Sequence, residues 1–183
     1  MPATTAVGIT PGTYSLDPIH SNVTFTVRHF GAGKFRGAFT DFDASLVVSD
    51  DGELSITGSV KVPSVSVKEP KLAGHLQSPD FFDAERYPEI TFKSTSITAS
   101  PDGSLEVEGD LTLKGITKPV QAQGELTYTD DDGYGGQRAG VELTTTIDRT
   151  EFGVNFNAQL PGGAAVAAND VTLQIEFELK KDA

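Results

Sequence analysis

Only a few residues of this chain could carry out covalent or metal chemistry. The sequence has three histidines, His20, His29 and His75, and no cysteine, which excludes disulfides, thiolate metal sites and cysteine nucleophiles. The histidines lack a zinc-binding spacing such as H-E-x-x-H. A two-histidine site from His20 and His29 is one alternative. The simpler interpretation is that His20 hydrogen-bonds locally after Asp17 and that His29 ends a strand. We expect no metal and no other cofactor.

Sequence motifs for enzyme catalysis are also missing. There is no G-x-S-x-G nucleophile motif, no phosphate-binding glycine loop and no dinucleotide fingerprint. Residues 162–165 (GGAA) lack a strand-to-helix context, and we interpret them as a hairpin loop. The acidic run at 130–132 lacks the spacing of an EF-hand and is interpreted as a solvated loop. We predict that the protein is not an enzyme, and an enzyme acting on a lipid stays as an alternative.

The charge of the chain is acidic, and this limits its partners. The 26 Asp and Glu residues outnumber the 14 Lys and Arg residues, which gives a net charge of −12 over 183 residues. Such a surface repels nucleic-acid phosphates, so we expect no nucleic-acid partner. No apolar run approaches the roughly 18 residues of a membrane-spanning helix. The N-terminal residues show no basic region followed by an apolar run, so we expect no integral membrane segment and a cytoplasmic location.

Alternation of apolar and polar residues predicts strands along most of the chain. The clearest run has apolar residues at Val171, Leu173, Ile175, Phe177 and Leu179, with polar residues between them. This period of two is typical of a strand with one buried face. Similar runs lie at 22–28, 54–60, 105–113 and 141–148.

Turn sequences separate these runs. Asp-Asp-Gly at 50–52 and Pro-Asp-Gly at 101–103 predict hairpins. Strands with one apolar face must turn those faces towards one another, and closing the sheet removes its unpaired edges. We therefore predict an all-β fold, an extended antiparallel β-barrel of about eight strands. It forms a single domain over residues 12–183, after a flexible tail of residues 1–11.

Residues 68–88 interrupt the alternation. This segment has three prolines, and Pro70 and the Ser-Pro pair at 78–79 predict a short helix over 71–77, within 70–84. Leu72 and Leu76 would share one face of this helix. Two interpretations are compatible: a plug that covers one end of the core, or a lid beside a ligand entrance.

Several motifs occur in a fixed order. Residues 16–25 read LDPIHSNVTF, and His29 and the Gly-Ala-Phe at 37–39 follow. Residues 78–92 read SPDFFDAERYPEITF, residues 109–118 read GDLTLKGITK, and residues 149–153 read RTEFG. Over roughly residues 12–180, the chain resembles the YceI-like family.

The resemblance implies a fold and a function. It implies a lipocalin-like barrel of eight antiparallel strands with a short helix, which binds, stores or transports a polyisoprenoid or isoprenoid quinone in its interior. It also implies a possible homodimer. Some members are periplasmic and carry a signal peptide, which this chain does not show. Many members have Arg-Asp before the helix histidine, where this chain has Leu72 and Ala73.

The apolar faces of the runs supply the candidate ligand-binding residues. A barrel of about eight strands either fills its interior with side chains or holds one small ligand. Glycines within the runs, Gly37, Gly58 and Gly109, indicate either close approach of a ligand or bends of the barrel. The candidate ligand-binding residues are Val23, Phe25, Val27, Phe39, Phe92, Leu111, Leu113, Leu143, Phe156, Leu173, Ile175 and Phe177.

The polar end of the ligand would lie at the mouth of the barrel. Candidate head-group residues are His29, Lys34, Arg36 and Arg149. For Arg149 we favour an ion pair with Asp17 or another acid. The alternative function is a barrel with a filled core that acts as a protein-interaction or stress-response module.

Overall fold

The computed structural model describes residues 8–158, 161–162 and 166–183. Ten strands and one α-helix follow one another in this part of the chain. Their bounds are β1 Gly12–His29, β2 Gly33–Phe39, β3 Phe42–Val48, β4 Leu54–Lys61, β5 Val65–Ser66, α1 Pro70–Gln77, β6 Glu89–Ala99, β7 Ser104–Leu113, β8 Ile116–Thr129, β9 Arg138–Asp148 and β10 Ala167–Lys181. Short 3₁₀ turns at Val62–Ser64 and Arg149–Phe152 complete the order.

The sheet closes into a barrel with eight strand positions. β1 is long enough to pair with β3 through its first residues and with β2 through its last residues. β2 and β3 therefore lie end to end in one position, and β4 and β5 share the next one. β6 to β10 follow in order, and β10 pairs with β1, where Phe25 lies opposite Leu173. Every pairing is antiparallel, so the predicted fold is confirmed.

A wide bulge interrupts β1 where it pairs with β10. Asp17 lies opposite Glu178, and the next paired residue of β1 is Asn22, opposite Glu176. Ser21 holds this bulge from a buried position. Its hydroxyl donates to the carbonyl oxygen of Asp17 at 2.7 Å and accepts the backbone N–H of Glu178 at 3.0 Å. The serine thereby replaces a ladder hydrogen bond that the bulge removes.

The predicted hairpins and helix are present. Gly52 and Gly103 adopt positive φ angles in the β3–β4 and β6–β7 turns, as their sequences require. α1 begins one residue earlier than predicted, because Pro70 occupies its first turn and the Glu69 side chain accepts the N–H of Lys71. No helix among the described residues is long and apolar enough to span a bilayer.

Part of the segment expected to be a flexible tail packs against the barrel. Residues 1–7 lie outside the described part, but Ile9 is completely buried in the core. Thr10 donates its hydroxyl to Gln137 at 2.9 Å and accepts the Tyr14 hydroxyl at its carbonyl oxygen. The packed domain therefore begins before residue 12. The loop predicted at 162–165 falls mostly on residues 163–165, outside the described residues.

The interior of the barrel has two different halves. At the end of the β3–β4 and β6–β7 turns, packed side chains such as Tyr14, Leu46 and Leu179 fill the core. At the end of α1, a second cluster includes Phe25, Phe152 and Val171. The division places any space for a ligand near α1.

Candidate functional site

A cavity of about 380 Å³ occupies the half of the barrel beside α1. This volume lies within the range of roughly 300–1,000 Å³ that is usual for small-molecule sites. Its wall is built from the inward faces of β1, β2, β4 and β6 to β10, and α1 and the residues after it add to the wall. The wall is mostly apolar, because alternate residues of these strands point inward.

All twelve side chains that the sequence predicts as ligand-binding lie on this wall. Eleven of them lie on strands, at the alternate positions whose side chains point into the barrel. Phe156 differs, because it belongs to the loop after Arg149–Phe152 and is partly exposed. The residues are Val23, Phe25, Val27, Phe39, Phe92, Leu111, Leu113, Leu143, Phe156, Leu173, Ile175 and Phe177. Their contact with a ligand stays a prediction.

An aromatic layer covers the cavity at the α1 end, and two of its four rings, Phe35 and Phe82, were not predicted as site residues. The ring of Phe25 contacts the rings of Phe35, Phe39 and Phe82, with centroids 5.7–6.4 Å apart. The apolar helix residues Leu72 and Leu76 also line the cavity. The segment 68–88 therefore covers the cavity, as both interpretations of it required. The adjacent residues Phe81 and Phe82 after the helix were the sequence feature from which this cover could have been predicted.

A second aromatic contact joins the helix to the loop that carries Phe156. The His75 ring meets the edges of Phe81 and Phe156, with both centroid distances at 5.0 Å. Its Nε2 lies 2.9 Å from a carboxylate oxygen of Asp80. This hydrogen bond fixes the ring, so His75 acts as part of the cover.

The three glycines within the strands have different roles. A Cβ on Gly37 would overlap the ring of Phe25, and a Cβ on Gly109 would overlap the ring of Phe92 and the carbonyl of Lys93. These two glycines make room for wall aromatics, so neither a ligand contact nor a barrel bend is needed to explain them. Gly58 lies on the cavity wall, and a Cβ there would meet only the Asp43 carbonyl oxygen, at 3.6 Å.

The Arg149 guanidinium is the buried charge of the cavity wall. Its side chain is 5% exposed. Nε donates to the carbonyl oxygen of Ala168 at 2.9 Å, and Nη1 donates to the carbonyl oxygens of Val154 and Phe156 at 2.7 and 2.9 Å. Burial lowers the pKa of Arg149, and the charge of Asp148 opposes this with a smaller effect. Arginine nevertheless stays charged at neutral pH.

The four predicted head-group residues are not brought together. His29 and Arg149 line the cavity, His29 as an exposed residue at its end. Lys34 and Arg36 are exposed and lie outside the wall, because side chains alternate along β2 and these two point away from the barrel interior. The favoured ion pair of Arg149 with Asp17 or another acid is wrong for the described residues, since backbone carbonyls hold Arg149 instead.

Asp17 belongs to an ion-pair cluster on the outside of the barrel. Its carboxylate accepts from the Ile19 backbone and lies 2.9 Å from His20 Nδ1 and 3.3 Å from Arg138 Nη1. The hydrogen bond between Asp17 and His20 lowers the pKa of Asp17 and raises the pKa of His20. Glu178 also lies 3.3 Å from His20 and 3.7 Å from Arg138.

In this outer cluster a histidine meets two carboxylates. Ligand atoms of Asp17, His20 and Glu178 lie within 4.8 Å of one another. The Arg138 guanidinium already supplies a positive charge among them, so the arrangement is explained as a set of ion pairs. His29 lies at the cavity instead, so the structure does not form the alternative site from His20 and His29.

The sequence matches the family model of the YceI-like domain over residues 14–179, which is most of the chain. The chain belongs to the YceI-like family. A UPF0312 protein of Vibrio cholerae is 35% identical over 159 residues, which cover 86% of this chain and 81% of the relative.

Solved structures resemble this YceI-like protein in fold. A YCEI protein of Campylobacter jejuni superimposes with a TM-score of 0.73 at 23% identity, covering 85% of this chain and 90% of that one. A polyisoprenoid binding domain from Saccharophagus degradans, implicated in plant cell wall breakdown, gives a TM-score of 0.66 at 16% identity. That match covers 92% of this chain and 98% of the domain.

Part of the sequence that carries the family resemblance builds the frame of this YceI-like domain. In the first motif, Asp17 and Ser21 hold the bulge of β1. In the motif at 78–92, the buried Asp83 adopts a positive φ of 52° and its backbone N–H donates to the Ser78 carbonyl oxygen at 2.9 Å. These contacts close the turn after α1 and hold the cover of the cavity in place.

Proposed function

We propose that this YceI-like protein binds a long apolar lipid of the isoprenoid class, such as a polyisoprenoid or isoprenoid quinone, inside the barrel. The observation that carries the proposal is the cavity of about 380 Å³ with a mostly apolar wall. Each methylene group moved from water into such a cavity contributes about 0.8 kcal/mol. The Saccharophagus domain, which has the same fold, is a polyisoprenoid binding domain, and this supports the choice of lipid class.

The proposed role is storage or transport without catalysis. Two ionisable groups of the wall have structural partners: Arg28 donates to the Ala32 carbonyl oxygen, and His75 pairs with Asp80. Neither arrangement pairs a nucleophile with a base, as covalent catalysis would require. A filled core, which is the alternative, fits the far half of the barrel, where Tyr14 and Leu46 are packed.

A titration with an isoprenoid quinone that has a four-unit tail tests this proposal. Gly58→Leu places a side chain in the cavity, where its Cβ makes only an ordinary contact with the Asp43 carbonyl oxygen, and Ser55→Leu is the matched control on the outer face of the same strand. We expect saturable binding with one site, weakened at least tenfold by Gly58→Leu and unchanged by Ser55→Leu. An absence of saturable binding, or equal effects of the two variants, would contradict a ligand site in the barrel.

A further inference from the structure

The hydrogen bonds that Arg149 makes with the described residues leave one end of its guanidinium without a partner. Three of its five N–H groups are used, one on Nε and two on Nη1, and all three donate to backbone carbonyl oxygens. Nη2 is buried and meets no acceptor among the residues that the structure describes. A buried donor without an acceptor is uncommon in folded proteins and calls for a specific explanation.

Among the described residues, Arg149 makes no ion pair with a carboxylate, and the charge of Asp148 affects it less than burial does. The adjacent Asp148 directs its carboxylate to Thr150, where Oδ1 accepts from the backbone N–H and from the hydroxyl. The neighbouring wall residues Val154 and Phe156 are apolar. Arg149, a residue of the cavity wall, therefore keeps two N–H groups on a single nitrogen atom without an acceptor among the described residues.

We propose that Nη2 of Arg149 binds an oxygen atom at the end of the ligand, and that this end lies within the cavity. This inference rests on the proposed function, because it names the chemistry of the ligand in the same cavity. The ligand class is an apolar chain that ends in a carbonyl or a carboxylate. A carboxylate also balances the single charge of the guanidinium.

The charge of the site argues against a diphosphate as the buried group. Carboxylates and phosphates both favour two parallel N–H bonds from two nitrogen atoms of arginine. Here Nε and Nη1 are occupied by the carbonyl oxygens of Ala168, Val154 and Phe156, so either anion would meet Nη2 alone. A diphosphate also carries more than one negative charge, and a single guanidinium would leave the excess charge buried without a partner.

A series of ligands with the same three-unit isoprenoid tail tests the inference on the unmodified protein. The series is farnesene as the hydrocarbon, farnesylacetone as the ketone, farnesoic acid as the carboxylate, and farnesyl diphosphate. We expect the ketone or the acid to bind at least tenfold more tightly than the hydrocarbon, with the acid tightest. We expect the diphosphate to bind more weakly than the acid.

The outcomes separate this inference from the proposed function. If the hydrocarbon binds and neither the ketone nor the acid exceeds it tenfold, the role of Arg149 is wrong and the apolar cavity stands. A diphosphate that binds more tightly than the acid also overturns the role of Arg149. If none of the four ligands binds, the proposed function itself fails.

Two further measurements locate the contact at Arg149. In Arg149→Lys, the preference for the acid over the hydrocarbon should fall below threefold, whereas Arg138→Lys, on the outside of the barrel, should keep it. Arg149 also holds the loop after β9, so this variant must first show the circular dichroism spectrum of the wild type. If it does not fold, nitrogen-15 NMR of the wild-type guanidinium decides. Farnesoic acid should shift the Arg149 Nη resonances, and unchanged resonances at saturation would overturn the contact.

Discussion

The ring of Phe25 lies against Gly37 of the neighbouring strand, at the place where a side chain at position 37 would have to be. The two residues are direct partners in the register of β1 and β2. A Cβ on Gly37 would overlap three atoms of the ring. Phe25 also contacts three other phenylalanine rings, so it has little freedom to move aside.

Gly37→Ala should therefore destabilise the protein, by about 1–3 kcal/mol, because overpacking forces the ring and the backbone to shift. Gly58→Ala is the matched control, since its Cβ has room beside the cavity. Replacing that glycine within a strand should leave stability unchanged or raise it by up to about 1 kcal/mol. Urea unfolding of both variants measures the difference, and equal free energies of unfolding would show that Gly37 does not make room for Phe25.

Ser21→Ala should weaken the bulge of β1. The substitution removes the acceptor of the Glu178 N–H and leaves that partly buried group without its partner, which costs about 1–3 kcal/mol. Ser15→Ala, at an exposed position on the same strand, should change the free energy of unfolding by less than about 0.5 kcal/mol. Hydrogen exchange of the Glu178 amide gives a local readout. It should accelerate in Ser21→Ala only, and unchanged exchange would mean that Ser21 does not hold the bulge.

The loop between β8 and β9 should lose stability at low pH through Asp132. Its carboxylate accepts from Arg138 Nε at 2.9 Å and from the backbone N–H groups of Tyr134 and Gly136. These bonds, with that of Arg138 the largest cause, lower the pKa of Asp132 to about 2. The lowered pKa makes the ionised carboxylate a stabilising group above its ordinary value of 3.8, and this contribution is lost as the pH falls towards 2.

The difference in unfolding free energy between wild type and Asp132→Asn should thus narrow as the pH falls from 5 to 2. Asp132→Asn removes one negative charge near Arg138, which also faces Asp17 and Glu178. Asp130→Asn removes one negative charge from the same loop and serves as the control for this general change in charge. A carbon-13 NMR titration of the Asp132 carboxyl measures its pKa directly, and a midpoint near pH 4 would contradict the hydrogen-bonding scheme.

Much of the fold follows from local patterns in the sequence. The alternation of β1 and β10 gives the inward face directly, so Val23, Phe25 and Val27 could be placed on the wall without a structure. The same parity should have excluded Lys34 and Arg36, which alternate with the inward Phe35 and Gly37. Turn glycines such as Gly52 and Gly103 have a local requirement for positive φ, and they were also predictable.

The remaining features depend on contacts between distant parts of the chain. The role of Ser21 requires Glu178, which is 157 positions away. The partners of Arg149 are backbone carbonyls, which side-chain sequence does not reveal, so an ion pair with Asp17 was the natural but wrong expectation. The roles of Gly37 and Gly109 depend on which rings lie over them, and the division between filled and open interior depends on packing throughout the barrel.

The most direct test of a lipid-binding barrel is the composition of the protein purified from its native host without detergent. Native mass spectrometry, followed by organic extraction and lipid analysis, measures which lipid is bound and in what ratio. We expect one isoprenoid lipid per barrel in wild type, and we expect the amount to be strongly reduced in Gly58→Leu but not in Ser55→Leu. Protein that carries no stoichiometric lipid, and that does not take up purified isoprenoid quinones afterwards, would contradict the account.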